Sequence, residues 1–412
     1  MTSIKESPIP VWLNEQFFGD IFVEKLQLPD GCFTVQIKSL EPTGGAGENY
    51  TSSLYRAKVD AVCDDGSTKP LALIIKVMLT DPYLKTYSVF LKEKLAYDNL
   101  LPTISQMWTD AGESVSFGPR CWKAVEGEQD VLVLEDLCAS GYAIGDRQKG
   151  ADLAHAHALL SKLAKFHAAT AVDYRKNGPI AELYDRGMFQ EEGREYFAEF
   201  SKVITPIFLE IFKGWPEAEK YKKKYEKSME NIYEKLYDAT KKDDSGFVCL
   251  CHGDVWTNNA MFSHKETGKI KDVLLIDLQD VYYGSPIQDL FYYLISSITL
   301  ELKATKFDEL LQFYHCELVK SLKKLHYPER IPSLRELHME LLRRGFLAFQ
   351  CTYDCLPIVL ADKNENANFA NFMGESEESQ RFRLDVYSNP LYLEHFKTLV
   401  KLFDTRGLLE YE

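Results

Sequence analysis

Cys251-His252-Gly253-Asp254-Val255-Trp256-Thr257-Asn258-Asn259 is the stretch on which the reading of this chain turns. The apolar run Phe247 to Cys251 leads into it and reads as a short strand, so Asp254 falls just beyond a strand end, where a loop can present it at an interface. Asn259 follows five residues later and offers a neutral amide oxygen, a donor that magnesium accepts. A carboxylate to orient a hydroxyl nucleophile and a neutral oxygen for a metal are what phosphoryl transfer asks of such a segment. His252 reads as a brace for the loop backbone rather than as a reacting group.

Downstream, Val273-Leu274-Leu275-Ile276 is a second short apolar strand, and Asp277 ends it. Asp277 supplies the second metal ligand that Asn259 alone cannot, and one carboxylate, one amide oxygen, waters and phosphates suit the hard, octahedral preference of magnesium. Gly284-Ser285-Pro286-Ile287-Gln288-Asp289 then opens a helix, with Pro286 in its first turn and Asp289 placed to complement the helix dipole, a structural role.

Upstream, Lys76 interrupts the apolar strand Leu71 to Leu79. An unpaired ammonium buried there is costly by several kcal/mol, so Lys76 needs an anionic partner. Glu93 is the candidate, on a helix over about 86–100 whose Phe90 and Tyr97 can pack that turn against the sheet. Before Lys76, Phe33 to Leu40 reads as a strand. The turn-rich stretch Pro42 to Asn49 follows, and then a strand in which Tyr55, Ala57, Val59 and Ala61 alternate with polar neighbours. That is a hairpin whose glycine-rich loop can approach a ligand closely. Val131 to Glu135 is a further strand, and a helix over Ala151 to Val172 carries the stripe Ala156, Leu160, Leu163, His167 and Thr170. A β-rich first third and an α-rich remainder indicate an α+β protein of two lobes, residues 1–137 and 138–412.

The chain has 412 residues and a net charge of −14, which argues against nucleic acid or an anionic membrane as a partner. The amino terminus lacks a basic region followed by an apolar one, and no apolar run is long enough to span a bilayer, so a cytoplasmic location is expected. The nine cysteines are scattered; neither close pair, Cys249/Cys251 or Cys351/Cys355, has the second pair a zinc site needs, and buried free thiols are the expectation.

In this order and on these elements, the pieces resemble the aminoglycoside phosphotransferase and choline kinase branch of the protein-kinase-like fold. More closely, the chain is similar to the insect ecdysteroid kinase-like family, whose module is also called the CHK kinase-like domain. The phrases that carry the likeness are Gly47-Glu48-Asn49-Tyr50 with Ser53 and Tyr55-Arg56, Leu134-Glu135-Asp136-Leu137, Cys251 to Asn259, and Leu275-Ile276-Asp277-Leu278-Gln279. The resemblance implies a small antiparallel-sheet N-lobe and a large, mainly helical C-lobe, with ATP and Mg2+ as cofactors. It implies that Lys76 contacts the α and β phosphates and pairs with Glu93, and that the segment from Gly44 to Ser53, with Gly45, Gly47 and Asn49, covers the nucleotide. Glu135, Asp136 and Leu137 become the hinge that hydrogen-bonds adenine, Asp254 the catalytic base, and Asn259 and Asp277 the magnesium ligands. Gly253 stands where protein kinases carry an arginine, and Leu278-Gln279 replaces Phe-Gly after the metal-binding aspartate, so a peptide substrate is not implied. More than a hundred residues separate hinge from catalytic loop, and that insertion is where the branch builds its acceptor pocket. The aromatic-rich run from Tyr184 to Trp215 is a candidate lining for it. The acceptor implied is a small apolar hydroxylated compound such as an ecdysteroid. A choline, ethanolamine or amino-sugar kinase and a non-catalytic nucleotide-binding protein are the alternatives.

Overall fold

Alternation along β2 (Ser52–Cys63) buries Tyr55, Ala57, Val59 and Ala61 on one face of a sheet. The helix Glu15–Leu26 covers that face with Phe18, Ile21 and Phe22. This computed structural model describes residues 9–44, 52–80, 85–185, 187, 189–362, 374 and 376–410. With β1 (Phe33–Thr43), β3 (Thr68–Met78), β4 (Cys121–Val125) and β5 (Val131–Glu135), β2 forms an antiparallel five-stranded sheet ordered β1-β2-β3-β5-β4. Register places Leu54 opposite Lys76 and Arg56 opposite Ile74. All four side chains therefore share the face that the N-terminal helix leaves open.

The helix expected over 86–100 is Val89–Leu95, continued by a π-helical turn at Ala96–Leu100. Phe90 and Tyr97 are buried on either side of Glu93, which is itself inaccessible to solvent. Beyond β5 the chain passes through a tight turn into β6 (Tyr142–Ile144) and becomes mainly helical. The helix Leu153–Asn177 is its spine, with Ala156, Leu160, Leu163, His167 and Thr170 all buried. Asp152 caps its N-terminus by accepting from the His155 N–H.

Two small sheets interrupt the helices. β7 (Cys249–Cys251) pairs with β10 (Tyr282–Gly284), and β8 (Ala260–His264) lies between β6 and β9 (Ile270–Leu275). The β7–β8 and β9–β10 connections consequently emerge side by side. The molecule is an α+β protein with the two-lobed protein-kinase-like architecture, its small antiparallel sheet set against a large, mainly helical lobe.

The aromatic insertion forms core. Tyr184, Phe189, Phe200, Phe208 and Phe212 are buried, and Phe208 packs against Tyr225, Tyr353, Tyr387 and Phe396. Full burial of a phenyl ring contributes roughly 1.5–3 kcal/mol. That is enough to explain aromatic enrichment in these helices without a ligand. The expected buried thiols are found at Cys249, Cys251, Cys351 and Cys355, and all nine cysteines are free. No described helix is long and apolar enough to cross a membrane.

Candidate active site

Between the open face of the sheet and the two small C-lobe sheets lies a cleft of about 690 Å³. Part of its lining is an apolar slot: Leu54, Ile74 and Leu134 come from the sheet, Met261 and Ile276 from the opposite lobe, and Leu137 from the connection between them. A flat aromatic base suits such a slot, because both of its faces can be covered by apolar side chains.

The connection is held rigidly. The Asp136 N–H donates to the Ala72 carbonyl at 3.0 Å. The Asp136 carboxylate accepts from the Cys138 N–H at 3.1 Å and from Arg56 Nε at 2.9 Å. Glu135 lines the cleft, and its side chain accepts from Ser140 Oγ at 2.7 Å. The Leu137 N–H finds no hydrogen-bond partner among the described residues, which leaves a backbone donor beside the slot.

Of the expected covering loop, Gly44 lines the cleft with a φ of 90°, a left-handed conformation natural to glycine. Gly45, Gly47 and Asn49 lie outside the described residues. Ser53 is on the other face of β2: it hydrogen-bonds Tyr55, and it is Ser52 and Leu54 that line the cleft. The period of two in a strand sends neighbours to opposite faces, so a one-residue difference decides which serine meets a ligand.

Lys76 extends from β3 into the cleft. Its Nζ donates to Glu93 Oε2 at 2.6 Å, to Asp277 Oδ1 at 2.5 Å and to Gln279 Oε1 at 3.3 Å. Burial opposes the ammonium charge, but Asp277 and Glu93 outweigh it and hold Lys76 protonated well above its ordinary range. Burial, reinforced by Asp277, raises the Glu93 carboxyl despite Lys76.

The catalytic-loop candidates meet across the β8–β9 pairing, where the Ile276 N–H donates to the Asn259 carbonyl at 3.0 Å. Asn259 Nδ2 donates to the Asp254 carbonyl at 2.9 Å and to Asp254 Oδ2 at 2.8 Å. A carbonyl oxygen only accepts, so this contact fixes which end of the amide is nitrogen and leaves Asn259 Oδ1 as the free donor atom for a cation. Asp277 sits at φ 64°, a left-handed conformation that aspartate tolerates better than most residues. Burial, with Asp280 and Asp277 close by, pushes the Asp254 carboxyl up to about 7, and the Tyr292 hydroxyl hydrogen-bonds it. Asp280 is raised for the same first reason, burial, only partly offset by Lys92.

Asp289 does more than complement a helix dipole. Fully buried, it accepts from the His252 N–H at 2.7 Å, the Gly253 N–H at 2.9 Å and His167 Nε2 at 2.9 Å. These hydrogen bonds outweigh burial and keep its carboxyl below the usual carboxylate range. His252 Nε2 lies 3.0 Å from the Ile276 carbonyl, so the ring ties one functional loop to the other. Gly253 adopts φ 86°, and a Cβ there would collide with the Asp280 carbonyl oxygen. A side chain at that position would push the two loops apart.

Lys76, Glu93, Asp254, Asn259 and Asp277 thus gather in one cleft, joined by Gln279 and Arg56, with Asp280 buried behind them; sequence reasoning had assigned these three no role. Glu93, Asp277 and Asp280 surround Lys76, Asp280 also faces the buried Lys92, and Asp254 lies beside Asp277 and Asp280. That excess of negative charge, with a free amide oxygen beside it, is a donor set for a hard divalent cation that also binds phosphate. Among the described residues no group of three or more His, Cys, Asp or Glu could hold a metal by itself.

The model of the ecdysteroid kinase-like family matches residues 46–327, more than half of the chain. The chain belongs to the ecdysteroid kinase-like family. The matched span of this family member runs from the glycine-rich segment through the helix Phe307–Lys324 and contains every residue of the cluster. No curated protein matches it significantly. Among solved structures it is similar to a candidate fructosamine-3-kinase from Haemophilus somnus 129PT, with 11% identity, a TM-score of 0.36 and coverage of 90% of this chain and 95% of that one. It is also similar to amicoumacin kinase hAmiN in complex with AMP-PNP, Ca2+ and Ami, with 13% identity, a TM-score of 0.41 and coverage of 92% and 97%.

Proposed function

We propose that this family member is a small-molecule kinase that transfers the γ-phosphoryl group of ATP to a hydroxyl of a small apolar acceptor such as an ecdysteroid. One observation carries the reading. Lys76, on the sheet, is held by Glu93 from the helix beside it and by Asp277 from the far lobe. Such a lysine is placed to meet phosphate oxygens at the point where a metal-binding carboxylate also reaches them.

With the lobe boundary between residues 137 and 138, each group takes one role. The apolar slot holds the adenine, with the Glu135 carbonyl and the Leu137 N–H as its hydrogen-bonding edge. Lys76 orients the phosphates, and Glu93 holds Lys76. Asn259 Oδ1 and Asp277 would hold Mg2+, which when bound neutralises charge on the phosphate oxygens. Asp254 orients the acceptor hydroxyl and takes its proton as that oxygen bonds to phosphorus. The acceptor class is taken from the family.

The test is acceptor-dependent turnover. Purified protein with Mg2+ and ATP is offered a hydroxysteroid panel, and the products are weighed by mass spectrometry. A product heavier by one phosphoryl group, formed together with ADP, is expected. Magnesium-dependent ATP binding with no acceptor consumed would instead identify a non-catalytic nucleotide binder, and phosphorylation of choline in preference to the steroids would overturn the acceptor class.

The raised Asp254 carboxyl gives a pH signature. It keeps its proton up to about pH 7 in the unliganded protein, whereas an unperturbed aspartate loses it near ~3.9. Its contribution to stability is therefore complete below the unfolded-state value and lost as pH rises through the folded-state value. A divalent cation favours the ionised cluster, so binding of Mg2+ with a non-hydrolysable ATP analogue should release protons at pH 6 and progressively fewer above about 7. Calorimetry in buffers of different ionisation enthalpy measures this directly. Proton uptake, or no pH dependence, would contradict the charge balance described above.

A further inference from the structure

Outside the cleft, two histidines 109 positions apart in sequence face each other across the C-lobe: His155, in the first turn of the helix Leu153–Asn177, and His264, the last residue of β8. We infer that they form a binding site for one zinc-class divalent ion, independent of the nucleotide site.

The geometry begins with Asp152. Its Oδ1 accepts from the His155 N–H at 3.0 Å and lies 2.7 Å from His155 Nδ1. A carboxylate only accepts, so Nδ1 carries the hydrogen and, in the neutral ring, Nε2 is a bare lone pair. That lone pair points at His264 Nε2, 3.3 Å away. The ring centroids are 5.5 Å apart and inclined by 56°, and Phe262 meets the His155 ring edge-on at 4.9 Å, which restrains its rotation.

Two imidazole nitrogens so placed either share a hydrogen or share an ion. At 3.3 Å a hydrogen carried by His264 Nε2 could be shared with His155 Nε2, and the same separation also admits an ion. Two nitrogens each about 2.05 Å from one tetrahedral ion stand about 3.3–3.4 Å apart, which is the separation found. A carboxylate on the far nitrogen of a metal-bound imidazole is also the usual outer partner of a zinc histidine; it sets the tautomer and raises the basicity of the ligand. Imidazole pairs select zinc, copper and nickel over magnesium and calcium. With no third His, Cys, Asp or Glu ligand among the described residues, waters complete the shell, and the partial exposure of both rings admits them. A bound ion would join the start of the spine helix to the end of the strand that begins beside Asn259.

Zinc chloride titrated calorimetrically into the full-length chain, with excess Mg2+ present, tests the site. One ion per chain is expected, together with a higher melting temperature. His155→Asn and His264→Asn should each abolish that saturable binding and the thermal shift, while melting unchanged in chelator. Asp152→Asn keeps a side chain able to cap the helix but removes the carboxylate, and should weaken zinc about tenfold or more. Absence of saturable binding to the wild-type chain overturns the site. So does undiminished binding by the His155→Asn/His264→Asn double variant, which would place the ion on exposed thiols instead.

Discussion

Replacing Asp254 with asparagine should lower turnover by about 10²–10⁴-fold, the usual contribution of a positioned general base, while leaving the KM for ATP nearly unchanged and the fold intact or firmer. The sign of the stability effect follows from the surroundings. Burial first, and then repulsion from Asp280 and Asp277, already push the Asp254 carboxyl up to about 7. A neutral amide removes that repulsion. Its oxygen can still accept from Asn259 Nδ2, now 2.8 Å from the carboxylate. Loss of activity with equal or higher thermal stability would separate a chemical role from a scaffolding one. Turnover within a few-fold of wild type, measured with any acceptor found in the steroid panel, would remove Asp254 from the mechanism.

The largest loss of stability is expected at Asp289. Asp289→Ala strips the acceptor from three buried donors at once: the His252 and Gly253 N–H groups and His167 Nε2. Each orphaned donor costs about 1–3 kcal/mol, and breaking a buried charged network typically costs about 3–5 kcal/mol in all. Urea denaturation should therefore show a drop of several kcal/mol, and turnover should fall with it because the loop carrying Asp254 loses its tether. Asp289→Asn, which keeps one accepting oxygen, should fall between. A loss under about 1 kcal/mol for Asp289→Ala would mean that water or a rearranged backbone satisfies those donors.

These two aspartates also mark how far local sequence reaches. Asp254 is legible because a strand, a turn and a metal-type amide follow one another within a few residues. Asp289 is visible only as an acid near a helix start. That it accepts from the backbone of the loop leading to Asp254 depends on β7 pairing with β10, a three-residue contact too short to leave a periodic signal. The same holds for β6 and for β4, whose pairing with β5 carries a register shift. The helix over 86–100 was readable from its spacing, but the π-helical turn at Ala96–Leu100 answers to packing around Tyr97 and Leu100. Ser53 illustrates a subtler limit: strand periodicity shows that neighbours face opposite ways, not which face receives the ligand.

From composition, periodicity and spacing alone come the α+β class, the order of the chemical groups and the requirement that Lys76 find an anion, because burial of a charge is penalised wherever the chain goes. Folding decides which anions answer. Asp277 reaches Lys76 across 201 positions, and His155 meets His264 across 109. It also turns the aromatic insertion inward as core, and none of its aromatic side chains lines the cleft. Periodicity is written within single elements and can be read there, whereas a contact between distant residues exists only once two lobes have packed and set their separation.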